Sequence, residues 1–320
     1  MKHIFIINPA AGKGAFQAKL EAGIPEAAKA VGAEYETYIT ECIGDARKVV
    51  RGICTERAGE AMRFYACGGD GTLNEVVNGA AGFPDVEVAV VPVGTGNDFV
   101  KNFGDKESFL DIENQIKGSA ITIDALKFNG RYAVNMVNMG FDCAVVETVA
   151  RIKRRPWISS KFAYIAGVLV EFLRMPGVEI KSLVVDGKPI EKSRLLLLAM
   201  ANGSFYGGGF HSAPKAKVND GIIDIFYADR MSHLQFASMI GSYKKGTYLE
   251  NKRIMKKVSY HKCESIFIDF ESEQSVCVDG EIEKAKELRI EVVPSFLRFS
   301  LPESIACKTP TEEKKELLEV

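Results

Sequence analysis

Residues 68–72, Gly-Gly-Asp-Gly-Thr, combine small residues with a carboxylate where a phosphate group could bind. They follow the apolar run 64–67 and precede residues 73–77, a pattern typical of a strand, a tight loop and a helix. Glycine permits positive φ and a close approach of the backbone to a ligand, and the first N–H groups of a helix point toward an anion. Asp70 would repel a phosphate unless a cation lies between them or the carboxylate takes part in proton or metal chemistry. The motif therefore predicts a site for magnesium and a nucleotide.

Two further loops share this small and polar character, at residues 8–14 (Asn-Pro-Ala-Ala-Gly-Lys-Gly) and 94–98 (Gly-Thr-Gly-Asn-Asp). Each alone is consistent with an ordinary turn, and the first lacks the spacing of a Walker A loop. In the second, Asn97 or Asp98 could simply cap the next helix. Three such loops after successive strands would meet at one edge of a parallel sheet, where ligands bind in open α/β proteins. Together they predict a nucleotide or phosphate site at that edge.

The elements that position these loops alternate between strand and helix. Apolar runs at 4–7, 35–40, 64–67 and 86–92 predict strands, and the patterns at 16–31, 43–58 and 73–80 predict helices. Repeated βα units give a mostly parallel sheet. The N-terminal part is therefore predicted to be an α/β domain.

From about residue 121 the apolar period changes to two. Such runs, typical of an antiparallel β domain, occupy 121–128, 132–139, 182–185, 195–201, 222–227, 266–270, 275–278 and 288–293. Asn129-Gly130, Asp186-Gly187 and Asp279-Gly280 are typical of tight hairpin turns. Helical insertions are predicted at 158–174 and 233–244.

The composition limits the classes of function. The 320 residues are 47% hydrophobic and 26% charged, which is typical of a globular protein with room for two domains. With 41 basic and 42 acidic residues, the charge balance does not favour a nucleic acid as partner. The seven cysteines form no Cys-x-x-Cys pair, which disfavours a disulfide framework and a zinc site.

The apolar stretches also bear on localisation. Residues 4–7 are too short for a signal-peptide core, and residues 162–173, interrupted by Glu171, fall short of the roughly 20 residues that cross a bilayer. We therefore expect a cytoplasmic protein that can still lie on a membrane.

At this point the motifs resemble the bacterial soluble diacylglycerol kinase family, which also embraces sphingosine and ceramide kinase-like domains. The resemblance rests on Asn8-Pro9 with Gly12, on residues 68–79 and on 94–99. In the second half it extends over residues 206–209, over the spaced pattern Pro214, Ala216, Asp220, Gly221 and Asp224, and over residues 278–281. It therefore covers residues 4 to about 301.

The family resemblance implies a fold and an ATP site. It implies an N-terminal α/β domain similar to 6-phosphofructokinase and NAD kinase, over residues 1–123, and a C-terminal β-sandwich that binds lipid, over 124–301. ATP would bind in the cleft between them, and residues 302–320 are expected to pack back on the first domain. The residues that would contact ATP are Asn8, Pro9, Ala10, Ala11, Gly12, Thr40, Gly69, Asp70, Gly71, Thr72, Leu73, Asn74, Glu75 and Thr95.

The resemblance also assigns roles to carboxylates. Glu281 resembles the general base, Asp124 matches a carboxylate that supports it, and Asp70 would lie with Mg²⁺ and ATP. A lipid hydroxyl group is a poor nucleophile, so a carboxylate must accept its proton while Mg²⁺ and backbone donors stabilise charge on the phosphoryl group. Read without the family, Glu281 would be a solvated carboxylate beside a turn.

A second Mg²⁺ is implied at residues 217–222. The backbone oxygens of Lys217 and Ile222 and the side chain of Asp220 would bind it, and such oxygen ligands suit a hard cation that keeps several waters. The alternative is a simple Asn-Asp-Gly hairpin.

Residues 151–158, Arg-Ile-Lys-Arg-Arg-Pro-Trp-Ile, place four cations around the sequence's one tryptophan. Such a cluster suits anionic lipid headgroups, and the alternative is a solvated loop with Trp157 in the core. We expect the cluster to contact a membrane.

These observations predict a lipid kinase that is cytoplasmic and peripheral at the inner face of the membrane, uses ATP and Mg²⁺, and phosphorylates diacylglycerol. A kinase for a sphingoid base, phosphatidylglycerol or an undecaprenol-type alcohol is the alternative, because Lys101-Asn102 stands where relatives often have Ala-Arg. NAD kinase shares the Gly-Gly-Asp-Gly loop but fits the second half poorly. A catalytically weak, nucleotide-binding lipid sensor and a homodimer both remain open.

Overall fold

The computed structural model describes residues 1–153, 158 and 160–306. The chain divides into two compact units. Unit 1 contains Met1–Ile123 and the chain from Ser295 onward, and unit 2 contains Asp124–Pro294. The second boundary predicted from sequence lies after residue 301, whereas this division lies before Ser295.

Unit 1 begins with alternating strands and helices. Its strands are β1 Lys2–Ile7, β2 Tyr35–Ile39, β3 Met62–Gly68 and β4 Val86–Pro92, and its helices are α1 Gln17–Val31, α2 Asp45–Glu56, α3 Asp70–Ala80 and α4 Ile112–Lys117. Short 3-10 helices lie at Ala11–Gly14, Phe99–Asn102 and Glu107–Leu110. The first four strands and first three helices were all predicted from sequence.

The strands of unit 1 pair in the order β2-β1-β3-β4, and each of these pairs is parallel. Phe5, Tyr65 and Val91 pack against Leu20 and Ile24 of α1 in one buried cluster. Every residue of β3 and β4 is buried, as expected where helices cover a parallel sheet. The carboxyl ends of these strands therefore carry the loops that the sequence singled out.

Unit 2 is built mainly from strands. Its elements are β5 Ser119–Phe128, which begins in unit 1, β6 Arg131–Ala133, β7 Met136–Gly140, α5 Phe141–Lys153, α6 Ser160–Arg174, β8 Val178–Val185, β9 Lys188–Pro189, β10 Arg194–Ala201, β11 Ile223–Asp229, α7 His233–Lys245, β12 Val258–Cys263, β13 Ser265–Val278 and β14 Glu281–Leu301, which ends in unit 1. Two 3-10 helices lie at Tyr248–Glu250 and Ile254–Lys256.

Within unit 2 the described strand pairs are antiparallel. The predicted hairpin turns are confirmed, because Asn129, Asp186 and Asp279 have φ of 43°, 46° and 47° and each precedes a glycine with positive φ. Positive φ at both central residues is the geometry of the tight hairpin turn.

Helix α5 was not predicted, although its apolar residues Phe141, Val145 and Val149 have helical spacing. It follows β7 without a polar loop. The break is Gly140, which has φ of 81° and leaves no room for a side chain, because a Cβ there would lie 2.4 Å from the Leu196 carbonyl oxygen. The two predicted strands at 266–270 and 275–278 are one strand, β13, with an irregular register between Asp269 and Gln274.

After β14 the chain forms the short helix α8, Glu303–Ala306, in unit 1. Asn114 in α4 donates a hydrogen bond to Ser304 Oγ at 2.7 Å, and the Ser304 N–H donates to Asn114 Oδ1 at 3.0 Å. Residues 307–320 of the predicted tail lie outside the described residues. In the described part of the chain, no helix combines the length and apolar character needed to cross a membrane.

Candidate active site

Three loops meet at the carboxyl ends of the parallel strands in unit 1. The Asn8 N–H donates to the Cys67 carbonyl oxygen at 3.0 Å, and Asn8 Nδ2 donates to Thr72 Oγ1 at 3.0 Å. The Gly94 N–H donates to the Gly68 carbonyl oxygen at 3.0 Å. The structure thus brings together the three loops predicted to bind a nucleotide.

The glycines in these loops are needed mainly for close packing. A Cβ on Gly94 would lie 2.4 Å from Gly69 Cα, and one on Gly68 would lie 2.2 Å from Thr72 Oγ1. Gly68 and Gly69 do not adopt the positive φ that glycine permits, whereas Gly12 does, with a φ of 58°. Gly68 instead continues β3 and pairs with Pro92, so that the loop is shorter than predicted.

Asp70 is the first residue of helix α3 rather than part of a loop. Its Oδ1 accepts the backbone N–H groups of Asp98 at 2.8 Å and Phe99 at 3.2 Å. A carboxylate at a helix N-terminus is also stabilised by the helix dipole. Asp70 therefore holds the start of α3 against the end of the 94–98 loop, a contact that was not predicted from sequence.

The other predicted ATP contacts surround these three loops. Thr40 directly follows β2, and its N–H donates to the Ile7 carbonyl oxygen at 2.9 Å. Glu75 Oε1 accepts the Gly44 N–H at 2.8 Å, which ties the β2–α2 connection to α3. Thr95 is exposed. The 8–12 segment is held as a turn, because Asn8 Oδ1 accepts the Ala10 N–H and Asn8 O accepts the Ala11 N–H.

In α3, Leu73 and Asn74 are buried, whereas Gly71 keeps part of its surface accessible. Along the 8–12 segment, Pro9, Ala11 and Gly12 are partly accessible and Ala10 is exposed. ATP contact by these residues stays a prediction.

In unit 2 the carboxylate of Asp279 is buried and accepts three backbone N–H groups. These come from Val134 at 2.9 Å, Asn135 at 3.1 Å and Met136 at 2.8 Å. Hydrogen bonds to an ionised group are stronger than neutral ones. The turn that precedes Glu281 is therefore fixed to the start of β7.

Glu281 opens β14, directly opposite Val278 across this turn. Its Oε2 lies 3.4 Å from Arg131 Nη2, and Arg131 Nη1 also binds Glu283. Arg131 was not among the site residues predicted from sequence. The sequence holds part of the signal: residues at i and i+2 of a strand share one face, so two carboxylates there favour a nearby cation, but the pattern does not identify which one.

Asp124 and the 217–222 loop, predicted as two separate sites, lie together. Asp124 Oδ2 accepts the Gly221 N–H at 2.7 Å, and the Asp124 N–H donates to the Val218 carbonyl oxygen at 2.7 Å. Asn202 Nδ2 donates to the carbonyl oxygens of Asp124 at 3.0 Å and Val134 at 2.8 Å. Asp124, the 217–222 loop and the segment held by Asp279 thus lie together within unit 2, whereas Asp70 belongs to unit 1.

The donor set of the 217–222 loop fits a hydrated hard cation. Asp220 Oδ1 is buried and has no hydrogen-bond partner among the described residues, while Asp220 Oδ2 accepts from Lys262 Nζ at 2.8 Å. Asp224 is wholly buried 3.9 Å from Lys262 Nζ, and burial raises the pKa of its carboxyl group. Because no three His, Cys, Asp or Glu side chains of the described chain form a metal cluster, a cation here would also need water and the carbonyls of Lys217 and Ile222.

A separate polar cluster underlies the glycine-rich loop at 206–209. The Tyr206 hydroxyl donates to Asp142 Oδ2 and lies 2.8 Å from the Tyr243 hydroxyl, which is 3.2 Å from Asp142 Oδ2. Burial raises the pKa of Asp142 to about 6, against the hydrogen bonds from both tyrosines, which lower it. This cluster fixes the loop to α5 and α7.

The predicted membrane segment is described only in part. Arg151 and Lys153 are exposed in the last turn of α5, and Ile158 is partly buried. Arg154, Arg155 and Trp157 lie outside the described residues, so their membrane contact stays a prediction.

Two family models match the chain. Residues 2–128 match the diacylglycerol kinase catalytic domain, and residues 135–301 match the YegS C-terminal NAD kinase beta sandwich-like domain. Together these matches cover both units.

Named relatives match most of the chain. It is 29% identical to a diacylglycerol kinase of Bacillus subtilis strain 168 over 281 residues, 86% of this chain and 88% of that protein. It is 31% identical to a diacylglycerol kinase of Staphylococcus aureus strain Newman over 287 residues, 86% of this chain and 84% of that protein. A solved structure of a diacylglycerol kinase from Bacillus anthracis strain Sterne has a TM-score of 0.70 and 22% identity, and the match covers 95% of this chain and 98% of that one. At that identity the structural match supports the fold alone.

Proposed function

The chain belongs to the diacylglycerol kinase family, and we propose that it transfers the γ-phosphoryl group of ATP to a lipid hydroxyl group, with diacylglycerol as the first candidate acceptor. The observation that carries the proposal is the contact between the loops of unit 1, where Gly94 packs on Gly69 and Asp70 holds the Asp98 N–H. Glycine backbone can approach phosphate oxygens closely, and the first N–H groups of α3 can donate to them.

The nucleotide would be bound by the 8–12 segment, the start of α3 and Thr95. Mg²⁺ would neutralise charge that develops on the transferred phosphoryl group. Asp70 holds the 94–98 loop against α3. It would therefore fix in advance the positions of the backbone N–H groups of this loop and of the start of α3 that would donate to the phosphates. A preorganised set of donors lowers the barrier because it needs no rearrangement during reaction.

Glu281 would accept the proton of the lipid hydroxyl group. Its side chain is 35% exposed, so an acceptor can reach it, and Arg131 orients it from one side. Asp124 would act at a distance through the 217–222 loop, because its buried carboxylate accepts the Gly221 N–H and does not face solvent. We therefore assign Asp124 a positioning role, whereas Glu281 would touch the substrate.

The acceptor would be taken from a membrane at its inner face, with the protein peripherally associated. Diacylglycerol stays in the bilayer, so a kinase for it must work at the surface. Two cations in the last turn of α5, Arg151 and Lys153, are exposed and could meet anionic headgroups.

The test is phosphoryl transfer from labelled ATP with Mg²⁺ to a panel of lipids in micelles. The panel contains diacylglycerol, a sphingoid base, phosphatidylglycerol and an undecaprenol-type alcohol, with NAD as a soluble acceptor. We expect label in diacylglycerol and its loss in Glu281→Gln. Label in another lipid would reassign the acceptor, label in NAD would make the protein an NAD kinase, and ATP binding without transfer would leave a nucleotide-binding sensor.

A further inference from the structure

Helix α6 exposes large apolar side chains and buries its one carboxylate. Phe162, Ile165, Leu169 and Leu173 are 62%, 66%, 58% and 68% exposed. Their spacing of three, four and four residues puts them on one face of the helix. Glu171, by contrast, is 3% exposed. This is the reverse of the usual surface helix, in which polar residues face water.

The inner face of α6 explains this reversal. Its buried positions include Ala163 and Gly167, and a Cβ on Gly167 would lie 2.6 Å from Val149 Cγ2 in α5. Glu171 Oε1 accepts a hydrogen bond from the Thr148 hydroxyl at 2.6 Å. Small residues and one satisfied carboxylate thus let α6 lie directly against α5. Tyr164, Val168 and Phe172 also pack against the core on this side, whereas Phe162, Ile165, Leu169 and Leu173 stay exposed.

The apolar surface continues onto the start of α7. The His233 ring packs edge-on against Phe172, and its Nε2 lies 3.3 Å from the Leu173 carbonyl oxygen. The next residue, Leu234, is 84% exposed. We call Phe162, Ile165, Leu169, Leu173 and Leu234 the apolar stripe.

The exposed charged side chains of α6 and of the last turns of α5 and α7 are all cationic. Arg151 and Lys153 are exposed at the end of α5, and Arg174 is exposed at the end of α6. Lys244 and Lys245 are exposed in the last turn of α7. Among the side chains that the structure describes in α6 and α7, no carboxylate is exposed. Cations around an apolar face are the pattern of a helix that lies in the interface of an anionic bilayer.

We propose that the apolar stripe is the membrane-docking surface of the protein, with α6 lying in the plane of an anionic bilayer. The stripe inserts into the boundary between headgroups and acyl chains, while the flanking cations meet the headgroups. The inference deepens the proposed function, on which it rests for the origin of the lipid substrate. It concerns described residues and does not depend on the 154–157 segment.

The test compares two paired variants in sedimentation with vesicles of phosphatidylglycerol and phosphatidylcholine. Ile165→Gln with Leu169→Gln should weaken vesicle binding by about tenfold or more, because interfacial binding scales with the apolar area inserted. Ile165→Leu with Leu169→Met is the matched control and should bind as the wild type does. Both side chains are exposed and glutamine favours helices, so the melting temperature should not fall.

The glutamine pair should keep its activity on a dispersed short-chain diacylglycerol and lose activity on vesicle diacylglycerol. A second pair, Leu173→Gln with Leu234→Gln, should show the same loss of vesicle binding and of activity on vesicle diacylglycerol. It keeps the proposal testable if the first pair does not fold. Unchanged vesicle binding in both pairs would overturn the proposal. A wild-type dimer that the glutamine pairs dissociate would instead make the stripe a subunit contact. If the protein binds vesicles through the apolar stripe but phosphorylates no lipid, the proposed kinase activity is wrong. The proposed docking surface would still stand.

Discussion

Asp279 and Met136 are joined by a reciprocal pair of hydrogen bonds. The Asp279 N–H donates to the Met136 carbonyl oxygen at 2.9 Å, and the Met136 N–H donates to Asp279 Oδ1 at 2.8 Å. Since Glu281 follows two residues later, this pair sets the position of the proposed base relative to β7. Asp279 should therefore matter for both stability and turnover.

Asp279→Ala should lower the free energy of unfolding by about 3–5 kcal/mol, because three buried N–H groups lose a charged acceptor. The turnover of this variant should fall as well. Urea denaturation measures the free energy of unfolding, and steady-state kinetics measure the turnover. Asp186→Ala is the control, because Asp186 forms the same kind of turn but accepts from Glu264 and Ser265 at the surface. It should cost about 1 kcal/mol and leave turnover unchanged. Equal effects of the two changes on turnover would contradict the positioning role.

Glu281→Gln should reduce turnover by about two to four orders of magnitude with ATP binding retained, the usual worth of a positioned general base. The matched control is Glu283→Gln, because both carboxylates bind Arg131 and lie two residues apart on β14. It should retain turnover within about threefold, since it removes the same charge without the base. If both variants lose activity equally, the loss comes from the disturbed ion pairs with Arg131, and Glu281 is not the general base. Steady-state kinetics at saturating ATP decide between them.

Much of this architecture could be predicted because local chemistry specified it. The parallel strands are continuous apolar runs, and the Asp-Gly and Asn-Gly turns need positive φ that few other residues adopt readily. Helix α5 was not predicted because no polar loop separates it from β7. The apolar period changes from two to that of a helix at Gly140, within one continuous apolar stretch.

The candidate site could be predicted from sequence only at residues that belong to a local motif. That Asp124 lies against Gly221 and that Arg131 lies beside Glu281 depend on pairing between strands distant in sequence, which no local pattern encodes. The same applies to α6: its apolar residues were visible, but their outward direction follows from Gly167 meeting Val149.

Mg²⁺ should raise the melting temperature of the nucleotide-free wild type, because a ligand that binds only the folded state stabilises it. Asp220→Ala should remove most of that rise, since it deletes the buried carboxylate oxygen that has no hydrogen-bond partner in the described chain. Lys262→Met is the control: it also breaks the pair with Asp220 but leaves the oxygens for the cation. Thermal melts with and without Mg²⁺ measure both. A wild type insensitive to Mg²⁺ would exclude this cation site.

The buried carboxyl of Asp142 should make stability depend on pH. Its pKa rises from 3.8 to about 6 on folding, so the folded state holds this proton more tightly than the unfolded state. The resulting stabilisation is fully present below pH 3.8 and is lost as pH rises through about 6. Asp142→Asn cannot ionise, so its stability relative to wild type should improve by about 2 kcal/mol between pH 4 and pH 8. Urea denaturation at both pH values measures this, and parallel profiles for the two proteins would contradict it.

Gly94→Ala should weaken ATP binding by about tenfold or more. The new Cβ would lie 2.4 Å from Gly69 Cα, which is backbone and cannot rotate away, so the two loops must separate. Displacements of about 1 Å in a binding site are enough to cost orders of magnitude in rate. Gly52→Ala is the matched control, because Gly52 lies in α2 with nothing within 4 Å of the added atom. It should raise stability by about 0.5–1 kcal/mol through helix propensity and leave the Kd for ATP unchanged. Calorimetric titration with ATP decides: an unchanged Kd in Gly94→Ala would mean that the contact between these loops does not shape the nucleotide site.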